Sequence, residues 1–437
     1  MRIFATMEKR KIAFNTFGCK LNFAETSAIA RKFTDSDFET VDFKETADIY
    51  VIHSCTVTAQ AERKCKAAIR QAVKRNPEAS VAVIGCYSQL RPDELRKMKG
   101  VSIVLGNSEK YSLFDVVTKQ GENKPAHEDS ALKASRHFEP GFSANDRTRS
   151  FFKVQDGCDY FCTFCAIPYA RGRSRSATIA ETLSVAKQIT TTGIKEVVLT
   201  GVNIGDFGRQ HGESFLDLLK GLSELREIER IRISSVEPEL LKNEIIQLVA
   251  DRSKFMPHFH IPLQSGSDRV LALMKRKYKR EIFYQRVTFI KNLMPDACIA
   301  ADVITGFPGE TDEDFDETLE FIKELPISYL HVFTYSIRPG TKAAEMENHL
   351  SDAAKQTRSK KLHQLSDRKK MTFYRENKGS VRQVLWESDT DQGFMFGFTD
   401  NYIRCKKAFN PESVNTIETV MLDAIEDDGV FSITIIQ

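Results

Sequence analysis

Short unbroken apolar runs alternate with amphipathic stretches through the first hundred residues. KIAFNTFGC, DIYVIHSC, SVAVIGC and VSIVLGN read as strands, and NFAETSAIARKF, TAQAERKCKAAIRQAVKR and RPDELRKM carry helical periodicity. A strand without polar alternation is covered on both faces, so this pattern predicts a parallel α/β sheet. From about 118 to 149 the chain turns polar and aperiodic, as a linker or surface loop does. Alternation then resumes about six times, with SFFKVQDG, KEVVLTGVN, RIRISSVEP, HFHIPLQ, CIAADVITG and YLHVFTYS as strands and helices between them. Six such units fall short of the eight that close a barrel, so a partial (β/α)6 barrel is expected, with its chemistry at the carboxyl ends of the strands. A basic helix over about 356–376 leads to five short strands separated by turn residues, SVRQVLWES to GVFSITIIQ, which predict a small β-barrel. The expected organisation is therefore α/β throughout the first two parts: a parallel-sheet domain over 1–117, a linker over 118–149, the partial barrel over 150–376 and the β-barrel over 377–437.

Length and charge limit the function classes. A chain of 437 residues exceeds one ordinary core, and a net charge of +3 is small for that size, so contact with nucleic acid must come from local patches. No run of about 18 apolar residues exists, and the opening MRIFATMEKRKIAF lacks a signal-peptide core. The expectation is a cytoplasmic protein with no membrane partner. In a reducing compartment its nine cysteines are not a disulfide framework, and grouped ones point to metal or redox chemistry.

The densest group lies in GCDYFCTFCAIP, where Cys158, Cys162 and Cys165 fall within eight positions just after the first barrel strand. Three thiolates from one loop suit a cubic iron–sulfur cluster whose fourth iron lacks a protein ligand. If that iron chelates S-adenosylmethionine through its amine and carboxylate, an electron from the cluster can break the sulfonium bond and leave a deoxyadenosyl radical. The alternative is structural zinc completed by His258 or His260. Cys19, Cys55 and Cys86 fall just past the ends of three strands of the first sheet, the edge where such sheets bind ligands. Cys65, within a helix, Cys298, at the start of a strand, and Cys405 match no ligand position and read as small buried hydrophobes.

These surroundings resemble the radical S-adenosylmethionine superfamily, and more closely its methylthiotransferase family, from about residue 11 to 437. The resemblance rests on TFGCKLNFAET, HSCTVTAQAERK and GCYSQ in the first domain. In the second it rests on VQDGCDYFCTFCAIPYARGRSRS, LTGVNIGDFG, HIPLQSGSDRVLALMKRKY, DVITGFPGET and FTYSIRPGT. It implies that Cys158, Cys162 and Cys165 hold a radical-generating [4Fe-4S] cluster, with Phe164 near the adenine of S-adenosylmethionine. It implies that Cys19, Cys55 and Cys86 hold a second [4Fe-4S] cluster that carries or supplies sulfur. Gly201 and Asn203 would meet the cofactor's amino group, and Glu237, Gln264, Asp302 and Gly306 would line the same cavity; each alone could equally be a cap or a satisfied buried polar group. The terminal domain resembles the RNA-binding TRAM appendage of the family.

The implied reaction inserts a methylthio group at an unactivated C–H bond, with a sulfur donor and a low-potential electron donor as partners. SSVEP, HSCTVT and ARGRSRS are most similar to the branch acting on threonylcarbamoyladenosine beside the tRNA anticodon. QSGSD is nearer the isopentenyladenosine branch, and a ribosomal-protein aspartate is the third target. Arg171, Arg173 and Arg175 after the cluster loop, with Lys275, Arg276, Lys277, Lys279 and Arg280, could hold the phosphates of a splayed anticodon stem-loop, although charge runs also form plain solvated faces. The terminal domain carries five basic and ten acidic residues, which suits a general RNA clamp poorly and a basic protein better, yet Tyr402, Arg404, Lys406 and Lys407 cluster in NYIRCKKAF as a local basic and aromatic face. A non-catalytic, zinc-braced RNA-binding protein is the reading from a different class.

Overall fold

The computed structural model describes residues 9–34, 36–119, 137–144 and 147–436, so most of the expected linker lies outside the described residues. The amino-terminal body is a five-stranded sheet of β1 (Arg10–Thr16), β2 (Phe38–Val41), β3 (Ile49–Ser54), β4 (Ser80–Gly85) and β5 (Val101–Leu105), ordered β2-β1-β3-β4-β5 and parallel throughout. Successive side chains of a strand point to opposite faces. Ile49 and Val51 of β3 therefore pack with Ile29, Phe33 and Leu113 of the helices Lys20–Thr34 and Leu113–Lys119, whereas Tyr50 and Ile52 pack with Ile69, Ala72 and Leu95 on the other face. Strand β2 was not expected: with two polar residues in four it lacks the apolar run of its neighbours, and it survives as an edge strand.

The central body has seven strands: β6 (Gly141–Phe142), β7 (Arg149–Lys153), β8 (Glu196–Thr200), β9 (Arg230–Ile233), β10 (His258–Gln264), β11 (Cys298–Thr305) and β12 (Tyr329–Thr334). β6 is a two-residue antiparallel edge; the other six are the expected parallel strands, in the order β7-β8-β9 and β10-β11-β12. The Ile231–Phe255 and Ser235–His260 bridges join the two groups. The six form an open barrel, whose largest core includes Leu199, Ile231, Ile261, Ile299 and Phe283.

The helix Asp352–Glu376 leads to β13 (Val381–Asp391), β14 (Phe394–Thr399), β15 (Arg404–Ala408), β16 (Ile417–Ile425) and β17 (Phe431–Ile435), a closed barrel of order β13-β14-β15-β17-β16 around Trp386 and Cys405. It docks at the amino ends of the central strands. Arg149, which opens β7, pairs with Glu387 at 2.9 Å; Arg230, which opens β9, donates to the Gln383 carbonyl at 2.7 Å; and His258, which opens β10, lies 4.5 Å from the Tyr402 ring. The small barrel thus closes the floor of the partial barrel and leaves the carboxyl ends of its strands to the amino-terminal body. No described helix is long and apolar enough to cross a membrane.

Candidate functional site

The parallel directions of β1, β3 and β4 bring Cys19, Cys55 and Cys86 to one edge. The thiols lie close enough for Cys86 and Cys19 to act electrostatically on Cys55, whose thiol is pushed up to about 12 by burial first and by these neighbours next. Gly18 is what lets the first loop close. Its φ is +105°, and a Cβ there would stand 2.8 Å from Cys55 Cβ and 2.9 Å from its sulfur. Asn107 Nδ2 donates to Cys86 Sγ at 3.5 Å.

The second triplet follows β7. Gly157, at φ +72°, lets the loop pass the Arg173 carbonyl, from which a Cβ would be 2.0 Å away. Burial, then the other thiols of the group, raises Cys158 and Cys165 to about 12, so a metal entering here displaces protons. The Tyr160 amide donates to Cys158 Sγ at 3.5 Å and Arg276 Nη1 to Cys162 Sγ at 3.3 Å. Arg276 also grips Glu237. Burial, with Glu239 and Asp302 adding to it, holds the Glu237 carboxyl up at about 7 even though Arg276 pulls it down.

One cavity of about 400 Å³ joins the two regions. Cys19, Val57 and Thr58 line one end, Cys158, Cys162 and Cys165 another, and Phe164, Gly201, Asn203, Glu237, Gln264 and Asp302 the walls. Among the described residues, Asn203 Oδ1 and Gln264 Oε1 are buried acceptors without a hydrogen-bond donor. Gln264 is held at φ +63°, beside a register shift that ends β10, and this left-handed backbone sets the direction of its side chain in the cavity wall. Gly306 is a correction: its position faces Lys355 of the helix Asp352–Glu376, 2.5 Å from where a Cβ would sit, and it does not line the cavity. Gly201 lines it, but the room left by its missing side chain is taken by Gln155 and Ile204.

Three basic residues expected at RNA turn inward instead. Arg171 is 1% exposed, bound to Glu25, Asp156 and Asn22, and Arg175 donates to Asp156 Oδ2 at 2.9 Å. Arg276 is 4% exposed, against Cys162 and Glu237. Each sits where its charge offsets buried thiols or carboxylates, and none can reach a phosphate. The histidines of the zinc alternative have neighbours of their own: His260 Nε2 is 2.7 Å from Asp302 Oδ1, and the ring of His258 packs on Tyr402.

Residues 11–106 match the family described as uncharacterized protein family UPF0004, and residues 152–322 match the radical SAM superfamily. The chain is 40% identical over 401 residues to a protein named threonylcarbamoyladenosine tRNA methylthiotransferase MtaB from Aquifex aeolicus, covering 91% of this chain and 96% of that one. The protein of the same name from Bacillus subtilis is also 40% identical, over 90% of this chain and 89% of that one. The chain belongs to the radical S-adenosylmethionine methylthiotransferase family. A tRNA-2-methylthio-N(6)-dimethylallyladenosine synthase from Bdellovibrio bacteriovorus is 31% identical, over 89% of this chain and 87% of that one. The solved radical S-adenosylmethionine methyltransferase TsrM from Kitasatospora setae shares the fold, with a TM-score of 0.58, 13% identity and coverage of 77% of this chain and 75% of that one. Membership of the superfamily implies S-adenosylmethionine and a [4Fe-4S] cluster as cofactors.

On this methylthiotransferase the remaining basic residues face outward. Arg173 is 76% exposed, and Lys275 and Lys277 are exposed, with the Lys277 ammonium 3.7 Å from the Tyr160 ring centroid. On the terminal barrel, Lys406 and Lys407 are each 2.6 Å from an acid of the same barrel, Asp428 and Glu418, and Tyr402 is stacked on Phe398 at the floor of the central barrel. Arg404 is exposed over the Phe396 ring, Lys406 lies over the Phe394 ring, and Phe394 and Phe409 are both exposed. Those phenylalanines went unnoticed in the sequence, although for Phe394 and Phe396 the alternation in FMFGF offers the signal. Lys20, beside Cys19, was also overlooked; burial, Arg149 and Arg232 push its ammonium down to about 8.

Proposed function

We propose that this chain converts threonylcarbamoyladenosine beside the anticodon of tRNA to its 2-methylthio form. In this reading Cys158, Cys162 and Cys165 hold the radical-generating [4Fe-4S] cluster, and Cys19, Cys55 and Cys86 hold a second one that delivers sulfur. When bound, the reduced cluster and the sulfonium cofactor supply one-electron chemistry able to break an unactivated C–H bond. The observation that carries the reading is the cavity lined by Cys19 of the first triplet together with Cys158, Cys162 and Cys165 of the second, since sulfur from one centre must meet a carbon activated at the other.

The protein's own groups suit that task. Glu237 and the orphaned Asn203 and Gln264 oxygens offer acceptors for an amine and for ribose hydroxyls, and Phe164 offers an aromatic face to the adenine. Arg276 steadies Glu237 and donates to the Cys162 sulfur. Arg173, Lys275, Lys277, Arg404, Phe394 and Phe409 supply exposed cations and stacking surfaces for an anticodon stem-loop. The case for a protein substrate weakens, because two acids of the terminal barrel are spent on its own cations, Asp428 on Lys406 and Glu418 on Lys407. A sulfur donor, a low-potential reductant and a cytoplasmic setting complete the proposal.

The test is mass spectrometry of tRNA nucleosides from cells with and without the gene. Loss of the methylthio form of threonylcarbamoyladenosine alone is expected. Loss of methylthio-isopentenyladenosine instead, the target favoured by relatives of about 31% identity, would transfer the chain to that branch.

A further inference from the structure

Along the last three strands of the partial barrel the side chains divide by parity. Phe259 and Ile261 of β10, Ala301 and Val303 of β11 and Leu330 of β12 belong to the core under the helices, so the residues between them face the lumen. Pro262, Ile304 and Phe333 are such residues, and all three line the cavity of the cysteine triplets. Two positions earlier on each strand stand His260, Asp302 and His331, which form the next layer of the lumen, toward the floor. Strand register fixes that layer. Asp302 is paired with His331 across β11 and β12 and with Pro262 across β10 and β11, and His260 is bridged to Ser235, which lies in the cavity wall as Asp302 does.

The layer offers two imidazoles and a carboxylate to one point. His260 Nε2 is 2.7 Å from Asp302 Oδ1, the centroids of the two imidazole rings are 4.9 Å apart, and one ligand atom from each of the three residues lies within 4.8 Å of the others. Atoms bonded to one transition ion at about 2.0–2.2 Å stand roughly 3 Å apart, so His260 and Asp302 are already near ligand spacing. His331 closes the remaining gap by turning its ring, which its exposure allows. A hydrogen-bonded His–Asp pair would account for two of these residues. A second imidazole in register with the carboxylate turns the pair into a set that can enclose an ion.

We propose that His260, Asp302 and His331 bind a divalent first-row transition ion of the zinc or ferrous class, as a mononuclear site separate from both cysteine triplets. Two imidazoles with one carboxylate suit such ions, whereas magnesium and calcium take oxygen ligands. Three protein ligands leave at least one position open on the ion. Toward the floor His258 is packed on the Tyr402 ring and Arg232 is paired with Glu196 at 2.8 Å, so the open position faces the cavity. There the ion acts as a Lewis acid toward an anionic oxygen ligand. The site stands on strand register and donor geometry and does not rest on the functional reading above.

The test dialyses the anaerobically reconstituted enzyme, its cysteines already loaded with iron, against zinc and counts both metals per chain by mass spectrometry. Wild type is expected to take up about one zinc per chain with its iron unchanged. Losing a ligand costs at least as much as losing a ligand's outer hydrogen-bond partner, about 10–100-fold, so His331→Ala and His260→Ala should each weaken zinc binding tenfold or more. His363→Ala, at an exposed position of the helix Asp352–Glu376, should leave it unchanged. Circular dichroism and iron content establish that each variant is folded and loaded; if His331→Ala is not, His331→Leu takes its place. Wild type without bound zinc, zinc gained only as iron is lost, or equal affinity in wild type and the His331 variant each overturns the proposal.

Discussion

Glu25 sits at the junction of the amino-terminal body and the barrel, fully buried, with Lys110 Nζ at 2.6 Å, Lys153 Nζ at 2.8 Å and Arg171 Nη2 at 3.0 Å. Asp156 shares Lys153 and Arg171 and adds Arg175, so two carboxylates face four cations. Burial alone would raise the Glu25 carboxyl, but Arg171, Lys110 and Lys153 hold it well below the usual range. Glu25→Gln keeps the volume and removes the charge. Breaking a buried ion pair costs about 3–5 kcal/mol, and at about 2–4 °C per kcal/mol for a unit of some 200 residues the thermal midpoint should fall by about 6–20 °C. Lys110 offers an escape. Burial, followed by Arg171 and Lys153, already holds it down at about 8 against the pull of Glu25, and without that carboxylate it falls further. A base whose folded pKa is depressed gives up its proton first in the folded state, so stability rises with pH between the folded and unfolded values. The deficit of the variant should therefore be largest near pH 6 and narrow toward pH 8. Thermal unfolding of the metal-free protein across that range is the assay; a midpoint within about 2 °C of wild type at pH 6 would refute the argument.

Three further outcomes follow from the site. Replacing Cys19, Cys55 and Cys86 together by alanine should lower reconstituted iron from about eight to about four per chain, whereas serine at Cys65, Cys298 or Cys405 should leave it unchanged. Because Glu237 is held near 7 and accepts most strongly when ionised, affinity for S-adenosylmethionine should rise as pH climbs through that value, and Glu237→Gln should flatten the profile, as read by equilibrium binding to the reconstituted enzyme. Alanine at exposed Phe394 or Phe409 should weaken stem-loop binding by about 1–3 kcal/mol if each stacks a base, and a filter-binding titration showing no change would remove that face from the RNA surface.

What could be read from the chain, and what could not, divides along the range of the interaction. The six barrel strands and both cysteine triplets were legible because their signals are local: an apolar run, a spacing, a cysteine one step past a strand. β2 was not, since FETV shows only Phe38 and Val41 as apolar, and its membership depends on Phe33 and Phe114, whose rings lie 5.2 and 6.5 Å from Phe38. The basic residues show the limit most clearly. Arg171, Arg173 and Arg175 are alike in RGRSR, yet the middle one faces solvent while its neighbours are buried. The antiparallel bridge between Asp156 and Arg175 fixes the loop, and Gly172, at φ +80°, turns it. What each arginine meets is then decided by Glu25, 146 positions before Arg171, and by Asp156. A cation in a sequence announces charge but not its partner, and partners separated by a hundred residues or more are set only when the two bodies dock.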